Sequence, residues 1–231
     1  MSKPKPSFQM ERGKTMSNSP LVTYAKISPN KTVMSNKKNT HIVIHHMAGC
    51  LTVQQCGDVF ANKNRQASSN YGVDNKGNVG LYVDEKDRAW TTGSREIDQK
   101  AITIEVANSE AGGDWPVSAT ALQKTIELCA DICKRNGIKE LKFTGDKSGN
   151  LHAHRWYQNT NCPGPYLYGK FSYIAEKVNA ILNGGETEEE KPEKLYRVQV
   201  GAYRNRTNAE RMRNTLKQAG FNDVFIAEVE K

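Results

Sequence analysis

The chain has 231 residues, a formal net charge of +8, a pI of about 9.2 and 37% hydrophobic residues. That length allows one ordinary domain plus a small extra module, and no run approaches the ~20 apolar residues of a membrane-spanning helix. The basic balance suits a polyanionic partner such as a wall polymer, while sparse aromatics and the lack of a basic helix argue against nucleic acid.

Met1 to Asn39 reads as a polar arm, with its first twenty residues mobile and LVTYAKI (Leu21 to Ile27) forming a strand or a strap across the domain. Met1 to Asn30 lacks an apolar core of the kind secretory signals carry, so the expectation is synthesis in the cytoplasm without a signal peptide. Thr40 to His46 is a strand of β-branched residues. His41, Val43 and His45 lie on one face, and Ile42, Ile44 and His46 on the other. Only one of His45 and His46 can therefore reach a shared site, and periodicity does not choose between them.

Thr52 is placed to cap a helix to about Asn64 with Val53, Cys56, Val59 and Phe60 as its apolar stripe. Ser69–Val73 and Val79–Val83 flank DNKGN, a hairpin turn in which Gly77 takes positive φ. Arg88 to Trp90 continues the sheet or its edge, and AITIEV (Ala101 to Val106) fits a buried central strand. Ser118 caps a long helix that Gly137 ends, Leu141 to Thr144 is a further strand, and a last helix runs from about Lys170 to Leu182. Strands alternating with helices indicate an α/β fold around a central mixed sheet flanked by helices.

NGGETEEEKPEK, residues 183–194, is an acidic linker. Residues 195–231 make a separate β-α-β module, with YRVQVGAY as the first strand, Thr207 as helix cap and VFIAEV as the second strand. The expected organisation is thus an arm (1–39), a catalytic domain (40–182), a linker (183–194) and this C-terminal module (195–231).

All five histidines fall in two stretches, HIVIHHMAG (His41 to Gly49) and LHAHRWYQNTNCPGPY (Leu151 to Tyr166). The second also carries Cys162. One histidine from the first stretch with a histidine and a cysteine from the second would give the three ligands of a catalytic zinc, leaving a fourth position for water. The spacing is not a closed zinc-finger pattern, and surface histidines beside a buried thiol are the competing reading. The five cysteines are an odd count. Cys129 and Cys133 sit four apart and face the core.

Four stretches in order, VIHHMAG, SSNYGVDNKGNVG, ITIEVAN and HAHRW with NTNCPGP, resemble the zinc-dependent N-acetylmuramoyl-L-alanine amidases of the phage-lysozyme and peptidoglycan-recognition type. The resemblance implies Zn2+ held by His45, His154 and Cys162, with His152 as the rival that supports the site from outside. It implies Glu105 as general base, Tyr71 as the active-site hydroxyl and Thr160 at a position held by Lys or Thr in relatives. For Thr160 a loop residue bonding its own backbone is the plainer reading. Asn108, Trp90 and Trp156 are candidates for lining the substrate groove. The implied partner is bacterial peptidoglycan, cut between N-acetylmuramic acid and L-alanine, with no nucleic acid and no membrane. An endolysin or a sporulation-linked autolysin, acting on the wall after release from the cytoplasm, fits this reading. A non-catalytic recognition protein of the same fold and a structural zinc protein are the alternatives. The spacing of Cys50 and Cys56 resembles a disulfide of animal peptidoglycan-recognition proteins, and the bond is left open. Residues 195–231 resemble one repeat of a SPOR domain, which implies binding of denuded glycan strands, with Gln199 as a candidate contact.

Overall fold

β3 (His41–His46) lies between two parallel neighbours, β7 (Ala101–Val106) and β8 (Leu151–Ala153). β4 (Tyr71–Val73) pairs parallel with β7 and antiparallel with β5 (Val79–Leu81), and β1 (Tyr24–Ala25) runs parallel to β5 at the edge. The result is one mixed six-stranded sheet in the order β1-β5-β4-β7-β3-β8. The computed structural model describes residues 18–184, 200–221 and 224–228, and the chain divides into two units, 1–187 and 188–231.

HIVIHH and AITIEV become the central strands because parallel strands covered on both faces need near-continuous apolar sequence. One face, carrying Ile42, Ile44, Ile102, Ile104 and Tyr71, packs on α3 (Ala119–Asn136) and α5 (Phe171–Leu182) to form the main core. Ser118 caps α3 by accepting from the Ala121 N–H, and Gly137 ends it at φ 69°. The other face carries two small clusters. Val43 and Ala101 meet Ile97 of α2 (Arg95–Asp98), and Cys56 and Phe60 of α1 (Val53–Ala61) meet Tyr82. Thr52 and Gln55 form a reciprocal cap at the start of α1. α4 (Pro165–Gly169) is a short helix between the His/Cys stretch and α5. No helix of the described residues is long and apolar enough to cross a membrane.

The sequence reading differs from the fold in three places. Within the expected arm, residues 18–39 pack on the domain, and the strand expected in Leu21 to Ile27 forms as β1. The Ser19 N–H donates to the Tyr71 hydroxyl at 2.8 Å, β1 extends the sheet, and β2 (Lys31–Thr32) pairs with β6 (Arg88–Ala89) as a separate two-stranded ribbon. Residues 1–17 lie outside the described residues. Leu141 to Thr144 does not form a strand. The Lys142 carbonyl instead accepts from both Asn150 and Leu151, at 3.0 Å each. A Cβ on Gly149 would sit 2.4 Å from that carbonyl oxygen, so the tight return requires glycine. In the C-terminal unit α6 (Arg206–Gln218) forms, but its cap is Asn205, whose side chain accepts from the Thr207 N–H. The described parts of the two expected strands, 200–203 and 224–228, are not regular strand, and Gln199 and most of the expected linker lie outside the described residues. Val200, Tyr203, Phe221 and Phe225 are exposed, in keeping with how little core so short a unit can bury.

Candidate metal centre

Register brings the site together. In β3 and β7, His45 stands directly opposite Glu105. In β3 and β8, Ile44 stands opposite Ala153, so His45 and His154 follow at the next step. His154, His45 and Glu105 therefore sit side by side at the carboxyl ends of three adjacent parallel strands, where α/β sheets place their sites. The His45 and His154 rings are 4.6 Å apart between centroids, and Cys162 Sγ lies 3.5 Å from His45 Nδ1. One ligand atom from each of His45, His154 and Cys162 lies within 4.8 Å of the others. Strand alternation sends His46 to the opposite side of β3, which resolves the choice between the adjacent histidines.

The electrostatics suit a bound cation. Burial, with His154 nearby, pushes the His45 imidazole well below its usual value, and burial also lowers His154. Burial, aided by Glu105, pushes the Cys162 thiol up. Nε2 of His45 and Oε2 of Glu105 are buried without a hydrogen-bond partner, a costly state that a bound ion would relieve. A divalent ion reverses each shift, favouring the thiolate and the neutral imidazoles as donors. Two imidazoles and one thiolate with one open position suit zinc. Glu105 is itself raised to about 8 by burial, opposed by the charge of Arg65.

The cysteine is carried by a fastened loop. The Arg155 N–H donates to the Cys162 carbonyl at 3.1 Å, its guanidinium donates to the Asn161 carbonyl at 2.6 Å, and it lies over the Tyr168 ring. The Cys162 sulfur also lies near the backbone N–H of His46, at the end of β3, which favours its thiolate form. Across the site, Asp98 is buried and accepts from the Thr92 hydroxyl and the backbone of Thr91 and Thr92, fixing the turn beside His154. Its charge favours a cation at His154. The sequence reading missed Arg155 and Asp98 as organisers of the site. Arg155 was signalled only by its place beside His154, and Asp98 by nothing local.

Other expected site residues fall elsewhere. Tyr71 stands opposite Ile104, which turns it to the α3 face, away from His45 and Glu105. Its hydroxyl donates to Glu85 Oε1 at 2.6 Å, and Glu85 pairs with Arg135. Tyr71 is thus a core hydroxyl, and Tyr71→Phe is expected to cost about 1–2 kcal/mol of stability while the wall cleavage that the resemblance implies stays within about twofold of the parent. Thermal melting and initial rates check this together. The Thr160 hydroxyl accepts from the Cys162 N–H at 3.2 Å and so shapes the loop. Thr160→Ala is expected to lower the wall cleavage that the resemblance implies only several-fold, a size fitting one lost loop hydrogen bond, measured as initial rate on purified walls. Asn108 is fully buried, with its side chain bonded to Gly49 and Trp115, a latch rather than a groove surface. The Trp90 indole donates to Thr32 Oγ1, tying β6 to β2. Trp156 stacks on Phe143 and packs with Tyr168 and His152. His152 lies outside the cluster, bonded to the Tyr157 hydroxyl at 2.6 Å and the Gly149 carbonyl at 3.0 Å. Cys50 and Cys56 are both free thiols, as are Cys129, Cys133 and Cys162.

The profile of the N-acetylmuramoyl-L-alanine amidase family matches residues 35–165, more than half of the chain and both halves of the cluster. The chain belongs to this amidase family. A SPOR domain profile matches residues 190–231. Among solved structures, PlyL superposes with a TM-score of 0.55 at 18% identity, covering 68% of this chain and 96% of that one. The PlyG catalytic domain gives 0.55 at 19% identity, covering 70% and 94%. An endolysin amidase, LysCS from Clostridium intestinale, gives 0.51 at 17% identity, covering 72% and 98%. At these identities the likeness is one of fold. No curated protein sequence matches the chain.

Proposed function

We propose that the chain is a zinc-dependent N-acetylmuramoyl-L-alanine amidase that hydrolyses the amide between the lactyl group of N-acetylmuramic acid and L-alanine. The observation that carries this reading is the row of His154, His45 and Glu105 closed by Cys162, in a chain of the amidase family. His45, His154 and Cys162 would hold Zn2+, which supplies Lewis acidity and an activated water when bound. Oε2 of Glu105, which has no partner, accepts the proton of the attacking water and returns it to the departing L-alanine nitrogen. Water adds to the lactyl carbonyl carbon, the C–N bond breaks, and a carboxylate and an amine result. Asp98 holds the turn at Thr91 and Thr92 beside His154, and Arg155 holds the loop that presents Cys162.

The solved endolysin relative and the SPOR match support a lytic role on bacterial peptidoglycan, as an endolysin or a sporulation-linked autolysin acting after release from the cytoplasm. The C-terminal unit would hold denuded glycan, the product that amidase action leaves behind.

The test uses the full chain on purified cell walls, before and after chelation and zinc add-back. New L-alanine amino termini are expected with zinc, none after chelation, and recovery on add-back. Wall binding without new termini would favour a recognition protein instead.

A further inference from the structure

Trp115 adopts φ 56°, a left-handed backbone that bulky residues avoid. Something must hold it there. The Asn108 amide donates to the Trp115 carbonyl at 2.9 Å, the Trp115 N–H donates to the Gly112 carbonyl at 3.0 Å, and the Ser109 N–H donates to the Pro116 carbonyl at 2.8 Å. This conformation places Trp115 against His46, at the end of β3, and against the loop that carries Cys162. Its ring meets the edge of His46 at 5.1 Å between centroids and 89° between planes. Its Cβ faces Gly164, two residues beyond Cys162. A Cβ built on Gly164 would lie 3.0 Å from Trp115 Cβ and 3.4 Å from His46 Nδ1. The neighbouring Asp114 carbonyl accepts from the Tyr166 N–H at 3.0 Å, tying the far end of the same loop.

We propose that Trp115 is a positioning residue: packed against both His46 and Gly164, it sets the height of the Cys162 loop over the end of β3. The proposal rests on the metal-centre reading above. The Cys162 sulfur lies 3.5 Å from His45 Nδ1, so it takes its place from the end of β3 on one side and from its own loop on the other. Arg155 and Thr160 fix that loop from within and from the β8 side. Trp115 touches both the loop, at Gly164, and the His46 ring that the loop approaches. Gly164, at φ 86°, has no Cβ to push the two apart. The strained backbone is thus maintained where it brings an aromatic wedge against the cysteine ligand's support, and groups that orient metal ligands govern metal affinity.

The experiment compares full-length wild type with Trp115→Ala and Trp115→Phe. Zinc affinity is measured by competition with a chromophoric chelator, the sulfur-to-metal charge-transfer band is read with Co2+, and melting is recorded for the metal-free proteins. Trp115→Ala is expected to bind zinc about 10- to 100-fold more weakly, with a weakened or shifted Co2+ band, and Trp115→Phe to recover most of both. Should the alanine variant misfold, Trp115→Leu keeps apolar bulk but removes the aromatic ring against His46 and is expected to weaken zinc binding likewise. Wild-type zinc affinity and an unchanged Co2+ band in Trp115→Ala would overturn the proposal, even if melting fell. Absence of zinc binding by the wild-type chain would overturn the metal-centre reading and this proposal with it.

Discussion

Glu105→Gln is expected to lower kcat by about 100- to 10,000-fold, the usual worth of a positioned general base, with zinc still bound. The substitution keeps the shape and removes the proton acceptor. Glu105 sits in a strand interior, in register with His45, and its Oε2 has no partner. A buried carboxyl in that state costs stability and brings none, because no cation forms an ion pair with it among the described residues. Its raised pKa has the same origin, burial opposed by the charge of Arg65, and a cation bound beside it would favour the carboxylate that accepts the proton. A structural role would give the reverse pattern: a large loss of stability in the glutamine variant and little change in turnover per folded molecule. Rates on purified walls, zinc content and melting of the same preparation separate the two. A variant with wild-type kcat would remove Glu105 from the chemistry.

Much of this site was legible because its parts lie in local patterns. Alternation along HIVIHH puts His45 and His46 on opposite faces in any register, and Ser118 and Gly137 mark both ends of α3 by elementary capping chemistry. What the sequence withholds is pairing between strands. Tyr71 follows its own strand pattern, but only its place opposite Ile104, rather than opposite Glu105, decides which face it joins. A shift of one residue would have put its hydroxyl beside the cluster. Gly72 takes the place opposite Glu105 instead, and a Cβ there would lie 2.6 Å from the Tyr82 hydroxyl. The same limit applies to Leu141 to Thr144. Its apolar residues suit a strand, but the Lys142 carbonyl is already committed to Asn150 and Leu151, so no ladder extends. Trp90 and Trp156 look alike in sequence as groove aromatics. Their partners, Thr32 and Phe143, come from segments far away along the chain.

Removing the thiolate tests the ligand set most directly. Cys162→Ala is expected to reduce activity by at least about 1,000-fold, because losing some 4 kcal/mol of transition-state stabilisation corresponds to that factor. Stability gives an independent readout. A metal that binds only the folded chain stabilises it by about 4 kcal/mol when present at a thousand times its Kd. The wild-type melting temperature should therefore fall on chelation and return with zinc. In Cys162→Ala it should be insensitive to both. The metal-free variant should melt close to the metal-free wild type, since Cys162 is buried without an ion pair and its thiol is held neutral there. His154→Ala should behave in the same way on activity and on chelation, because its ring closes the other side of the cluster. His152→Ala should not follow this pattern. It loses bonds to Tyr157 and Gly149 and so lowers melting with or without zinc, while the difference made by chelation persists. A chelation-sensitive melting temperature in Cys162→Ala would place the metal on other residues and overturn the assignment of His45, His154 and Cys162 as its ligands.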